Sequence, residues 1–417
     1  MRTHNRAVYA STGLDGRTLK VRLTGFRSYP RLYFEMVLIG FAVVMGLSLM
    51  AAFLPILAEE LDPSGVFVGL AVSAFFLSRL FIEVPAGIIS DRIGRRKLLI
   101  AGIGLTAIGA FLCAQANSVY VLIVGRAFWG LGTALYFMNN AALIIDLFES
   151  KTRGRALGIF NSIEFLGGFV GAPVGALLAG AMSHTGVFYI ALVMVLGSFA
   201  LSISSRSLRS VKNIHDSRTE QSIGQTIRYL RNWGIVAVST ITFFRMLVMQ
   251  GIFATVLQLY LNNELLFPEA HIGLIISLRV AGHVLAAFSS GFLADRFGKK
   301  TVVLTGFLID AGCLATFTAI YNLEAFLAAG FFEGFGEGLV FTSLIVLLSD
   351  LSPPSARGGT LGIYRTFMDL GGFAGPIALL FVYTSWSSHA AFWVAVFINF
   401  VNMLLLITVR IRPVSND

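Results

Sequence analysis

Six acids and five arginines stand in stretches of this chain that are otherwise apolar: Glu83, Glu164, Asp310, Glu333, Glu337 and Asp369 against Arg79, Arg126, Arg245, Arg279 and Arg365, with His283 adding a titratable ring. A charge in an apolar interior must be paired, face water or be neutralised, because even the lower estimates put its cost at about 2.5 to 3.5 kcal/mol at a bilayer centre. Such groups are read first as proton carriers or as binders of charged solutes. Glu83 follows Arg79, and Asp369 follows Arg365, at four-residue spacing, so intrahelical ion pairs are the simpler expectation for both. Glu164, Glu333 and Glu337 have no basic residue three or four positions away. They need a partner on another helix, a wet cavity or a proton, and burial without a cation favours the neutral, proton-binding carboxyl. We assign Glu164 and Glu337 as coupling acids balanced by Arg245 and Arg279, with Arg126 and Asp369 as further coupling candidates.

Other chemistries find no residues to carry them. Cys113 and Cys313 lie in apolar stretches without a CxxC spacing, and the six histidines are scattered, so neither a metal site nor a disulfide framework is expected. No HExxH or GxSxG motif speaks for an intramembrane enzyme, and no Walker A loop for ATP-driven pumping. No cofactor is expected; a transmembrane proton gradient is the expected energy source.

The elements that must position these charges are membrane helices. Of 417 residues, 56% are hydrophobic and 13% charged, about half the charged fraction of a soluble domain. The mean hydropathy is +0.80. Runs of about 20 apolar residues predict twelve spans at 33–57, 66–90, 97–116, 119–147, 154–182, 186–205, 233–261, 269–293, 300–320, 324–349, 358–385 and 388–409. They divide into an N-terminal bundle, 33–205, and a C-terminal bundle, 233–410, joined by a basic connector, 206–232, with tails at 1–32 and 411–417. Of 31 Lys and Arg, 26 fall in the tails, the connector and the loops that follow even-numbered spans. That asymmetry predicts both termini in the cytoplasm, and it explains the net charge of +9 without nucleic acid; the protein is expected in the lipid bilayer of the plasma membrane. The basic first 31 residues read as a cytoplasmic tail, not as a cleaved signal.

Sliding the chain along itself by 204 residues aligns its halves without a gap from Glu60 to Gly171. Asp91 falls on Asp295, Asp146 on Asp350 and Arg153 on Arg357. Of 15 glycines in that window, 11 land on glycine, where chance would give about 1.5. An even number of spans per copy keeps both copies in one orientation, related by an axis along the membrane normal, a geometry in which two halves can rock about a central site.

The loop after span 2 reads Gly87-Ile-Ile-Ser-Asp91-Arg92-Ile-Gly94-Arg95-Arg96-Lys97, and its copy after span 8 reads Gly291-Phe-Leu-Ala-Asp295-Arg296-Phe-Gly298-Lys299-Lys300. Here the chain resembles the major facilitator superfamily over about residues 33 to 410. Gly94 suits a tight turn, and Asp91 stands where a carboxylate caps a helix and meets arginines. The resemblance implies an all-α fold of twelve helices in two six-helix bundles. It also implies a gating latch at Gly87, Asp91, Arg92, Gly94 and Arg95, repeated at Asp295, Arg296 and Gly298, that joins the halves when the protein faces outward. Span 4, with Arg126, Gly130 and Gly132, looks like the family's second motif, although span 1 offers only Glu35 where an acid partner for the Arg would stand.

Span 5 carries Gly167, Gly171, Pro173 and Gly175, and resembles the glycine-proline motif of the drug:proton antiporter branch, with Ala172 and Ala176 replacing glycines. Gly371 and Gly375 repeat part of it in span 11. Four-residue glycine spacing makes flat faces for helix contact, which we place at the seam between halves. The family's usual cavity lining, spans 1, 4, 7 and 10, implies Tyr136, Asn139, Asn140, Gln250 and Glu333 as cavity candidates beside Arg245 and Glu337.

The expected function is secondary transport by rocker-switch alternating access, as a monomer, with proton-coupled export of a small hydrophobic or amphipathic compound. Uptake by symport, or lipid flipping on the same fold, are the alternatives. Replacing Asp91 with Asn should leave the protein folded but reduce transport; unchanged transport at equal expression would remove the latch assignment.

Overall fold

A computed structural model describes residues 29–148, 150–209, 229–352 and 357–409. Within its helices, the side chains of 83–89, 91–92, 145, 150–151, 153–155 and 357–358 lie outside the description, so the expectations for Glu83, Gly87, Asp91 and Arg92 fall there.

Helices follow the expected spans closely, and no strand occurs among the described residues. Spans 2 to 6 are Gly65–Ile93, Arg95–Ala114, Val119–Leu147, Ser150–Ala181 and His184–Ser204; spans 8 to 12 are Glu269–Phe297, Lys299–Thr316, Leu323–Leu351, Arg357–Ser385 and Ser388–Thr408. Eleven helices among the described residues are long and apolar enough to cross a membrane. The remaining one, span 9, opens with two lysines and holds Asp310, yet it packs inside the C-terminal bundle like its copy, span 3.

Local chemistry sets the ends. Gly94 and Gly298 have φ of 100° and 86°, a conformation costly for residues with a Cβ, and this lets the chain turn sharply between spans 2 and 3 and between spans 8 and 9. Side chains of Ser183, Asn232, Asn322 and Ser387 accept hydrogen bonds from backbone N–H groups in the first turns of spans 6, 7, 10 and 12.

Two spans depart from the expected continuous helices. Span 1 runs Arg31–Ser48, loses helical form across Leu49 to Phe53, and resumes as Leu54–Leu61. Pro55, at the start of the second piece, has no N–H to give to the Ala51 carbonyl four residues back. Span 7 runs Trp233–Val248 as an α-helix, widens to a π-helix over Met249–Val256, and ends in a second π segment, Tyr260–Glu264.

The glycine faces correct one expectation. A Cβ at Gly167 or Gly171 would strike the backbone carbonyls of Phe41 and Met45, at 2.6 and 2.7 Å, and one at Gly175 would overlap the Leu49 carbonyl. Gly371 and Gly375 meet Phe243 and Leu247 in the same way. These stripes seat span 5 on span 1 and span 11 on span 7, within each half, rather than lining the seam; Pro173 and Pro376 lie inside spans 5 and 11.

The seam is made by span 2 against span 11 and by span 5 against span 8. Ser73 Oγ donates to the Phe373 carbonyl at 2.6 Å, and Arg79 Nε donates to Asp369 at 3.2 Å. Farther towards the end away from the basic loops, His184 Nε2 meets Glu269 at 2.8 Å, and Asn263 Nδ2 donates to Glu59 at 2.8 Å.

Gly175→Ala should lower stability by about 1 to 3 kcal/mol, since the Leu49 carbonyl is backbone and has nowhere to move. Gly180→Ala, in the same helix with nothing within 4 Å of its Cβ, should stay within about 0.5 kcal/mol of the parent. Thermal unfolding of both variants in detergent separates the two outcomes.

Candidate functional site

Where the two irregular spans face each other, a cavity of about 400 Å³ opens between the halves. Non-helical backbone at membrane depth is tolerated only where it is buried in protein or lines such a space. The freed carbonyls are answered by side chains. Gln258 Nε2 donates to Ala51 O at 2.7 Å, the carbonyl that Pro55 leaves without a partner, and to Phe253 O at 3.3 Å. Thr255 Oγ1 donates to Gln250 O at 2.9 Å across the wide π turn. One glutamine thus ties the break in span 1 to the widened turn in span 7.

The cavity wall is apolar and aromatic apart from a few polar groups: Ser48, Arg126, Gln250, Gln258 and Arg279. Phe75 and Phe253 form its aromatic sides, and each carries a guanidinium over its face, Arg126 at 4.9 Å and Arg279 at 4.5 Å from the ring centres.

Behind the C-terminal wall lies a paired network. Arg279 donates to both carboxylate oxygens of Glu333, and Glu337 is held between Arg245 and the His283 ring. Asp310 is buried on span 9, and its Oδ1 has no hydrogen-bond partner among the described residues. The N-terminal half is arranged differently. Glu164 accepts from Tyr136 at 3.3 Å and from Asn140 at 3.1 Å, with no cation in ion-pair distance among the described residues. Arg126 is buried and likewise has no carboxylate within ion-pair distance among them; its contacts are Ala71 O at 3.4 Å and Met50 Sδ at 3.2 Å.

The structure sorts the expected residues accordingly. Gln250 lines the cavity, joined by Arg126 and Arg279. Tyr136 and Asn140 instead surround Glu164, while Asn139 accepts from Ser90 and fixes span 4 to span 2. Arg245, Glu333 and Glu337 stand behind the wall, not in it. Arg245 does balance Glu337, whereas Arg279 balances Glu333 and, among the described residues, no arginine reaches Glu164. Asp369 leaves the exposed Arg365 of its own helix and pairs with Arg79 across the seam. An i,i+4 spacing could not reveal that partner, because the two helices are 290 residues apart in sequence.

At the basic-loop end, Arg95 pairs with Asp146, and Lys299 with Asp350. Both acids fall at the same place in the 204-residue repeat, a signal that marked them without assigning a partner. Asp295 and Arg296 are exposed, with Arg296 over the Phe297 ring.

The fold, with its cavity at the seam of two bundles, places the chain among multi-pass membrane transporters. The sequence profile of the Major Facilitator Superfamily matches residues 36–249 and 238–417, and the chain belongs to that superfamily. Quinolone resistance protein NorA of Staphylococcus aureus (strain MSSA476) is 22% identical over 363 residues, which cover 83% of this chain and 87% of NorA. Multidrug resistance protein 1 of Bacillus subtilis (strain 168) is 24% identical over 347 residues, covering 81% and 86%. The nucleoside transporter NupG shares the fold, with a TM-score of 0.75 over 91% of this chain and 100% of its own at 13% identity.

Breaking one partner of the Arg279–Glu333 pair should cost about 3 to 5 kcal/mol, because it strands a buried charge. Removing both partners should restore part of that stability. A thermal-unfolding cycle of Arg279→Gln, Glu333→Gln and the double variant tests this, and additive losses would show that the two groups do not interact.

Proposed function

We propose that this superfamily member exports a small amphipathic compound in exchange for protons, the two bundles rocking about the cavity at their seam. The observation that carries the reading is Glu164: a carboxyl on a cavity-forming span, hydrogen-bonded by two neutral donors and lacking a cation among the described residues. Such a group can gain and lose a proton without breaking an ion pair, whereas Glu337 is tied to Arg245 and His283. The relatives, a quinolone resistance protein and a multidrug resistance protein, support export over uptake.

With both termini cytoplasmic and the protein in the plasma membrane, the bonded part of the seam reaches from Arg79–Asp369 near mid-depth to Asn263–Glu59 at the outer end, and the cavity belongs to an inward-facing state. Opening outward would part those bonds and bring the latch residues Asp91, Arg92 and Arg95, with Asp295 and Arg296, against the opposite bundle. In the conformation seen, Arg95 is held by Asp146 within its own half. The working unit we propose is a monomer.

Sealed proteoliposomes with an imposed pH gradient and an internal pH dye test the proposal. Addition of an amphipathic substrate should drive proton movement opposite to the substrate. Glu164→Gln should abolish that movement while leaving substrate exchange in the absence of a gradient. Protons moving with the substrate would indicate symport, and intact coupling in Glu164→Gln would remove this acid from the mechanism.

A further inference from the structure

Arg79, Arg245 and Arg279 each hold a carboxylate, but Arg126 does not, among the described residues. It is 5% exposed and forms part of the cavity wall. Its polar contacts are a carbonyl at the long end of hydrogen-bond range and a thioether sulfur, a weak acceptor. An arginine does not shed its proton to escape burial, so the missing counter-charge has to come from elsewhere. The rest of the wall supplies none. Its polar members are a serine, two glutamines and a second guanidinium, Arg279, already committed to Glu333, and among the described residues no Asp or Glu lines the space.

Resting on the reading of this cavity as the transport site, we propose that the cavity selects an amphipathic organic anion, a carboxylate on an aromatic or alicyclic body, whose head group pairs with Arg126. A planar carboxylate matches the fork of a guanidinium, and the body would lie among Leu47, Phe76, Phe169, Phe253 and Ile276. The same wall disfavours cations: an ammonium would shed its water to enter a space with two guanidiniums and no acid. The anion also supplies the counter-charge that Arg126 lacks among the described residues, so occupancy stabilises the cavity wall that contains it.

Three ligands of one ring system separate the possibilities: 2-naphthoate, 2-naphthamide and 2-naphthylmethylammonium. Binding of each to the full chain in zwitterionic lipid nanodiscs is measured by equilibrium dialysis. The naphthoate should bind the parent protein roughly 10- to 100-fold more tightly than the amide, the value of a charge-assisted hydrogen-bonded pair. Arg126→Gln should erase that preference while leaving amide binding in place, and Arg126→Lys should keep part of it. Amide binding and unfolding temperature report whether each variant is folded. The inference is overturned if the ammonium or the amide binds the parent as well as the naphthoate, if Arg126→Gln keeps the preference, or if none of the three saturates. The same ligands in the proteoliposome assay keep the two readings apart. Proton-coupled movement of the ammonium but not of the naphthoate would sink anion selection and leave transport standing, whereas no movement of any compound in either assay would sink the transport reading itself.

Discussion

The hydrocarbon interior offers no water to a backbone carbonyl or to a charge, so every departure from regular helix or from neutrality must be answered by another part of the chain. That constraint explains why the irregular segments sit where they do. Pro55 removes a donor from span 1, and the cost would be an orphaned carbonyl at Ala51; Gln258, from the other half of the molecule, supplies the bond. A break that would be unaffordable against lipid is stable beside a wide π turn, and the two irregularities together leave the space that becomes the cavity.

Charge is distributed under the same constraint, and the duplication shows how. The 204-residue shift sets Phe75 over Arg279, Arg79 over His283, Trp129 over Glu333, Thr133 over Glu337 and Thr106 over Asp310, while Arg126 meets Gly330. Seating glycines at Gly102, Gly130, Gly132, Gly167 and Gly171 fall on glycine in the other copy, although Gly175 falls on Leu379, and none of the six acids and five arginines of the apolar stretches falls on another of them. The C-terminal copy therefore pairs Arg279 with Glu333 and Arg245 with Glu337 behind its wall, with Asp310 beside them, and the N-terminal copy holds an arginine and a glutamate that do not meet each other. In one half Arg245 and Arg279 are matched by acids, and in the other Arg126 and Glu164 have no such match among the described residues.

This division also marks what the residues reveal on their own. Helix positions were legible to within a few residues, because length and apolarity are local properties, and the repeat register followed from glycines such as Gly130 and Gly334. Partner choice was not legible. Arg365 stands four residues before Asp369, yet Asp369 pairs with Arg79, since a helix can present two such side chains to different surroundings. The glycine stripe at Gly167, Gly171 and Gly175 gave the contact but not its owner: a flat helix face fits any neighbour, and only the packed structure assigns it to span 1. Gln258 and Phe75 carried no charge or motif to single them out, although the first holds the broken backbone and the second faces Arg126.

The contacts within each half and those between halves differ in kind. Inside a half, carbonyls such as Phe41 O and Phe243 O press against glycine Cα atoms, and no water can replace that contact without opening a void. Between halves glycines also meet neighbours closely, Gly69 against the Ile377 backbone and Gly273 against Ala176, but the hydrogen bonds there are made by side chains, Ser73 to Phe373 O, Asn263 to Glu59 and His184 to Glu269. Water can take over each of these donors and acceptors as the surfaces part, at little net cost. The proposed rocking would therefore part a seam bridged by polar side chains while the helices of each half stay seated on one another. Arg79 and Asp369 are the exception at the inner end of this bonded seam, nearly buried and expensive to separate dry. If the seam opens as proposed, water must reach that pair before it can part fully, so opening from the end away from the basic loops towards the pair is the path with the smallest electrostatic penalty.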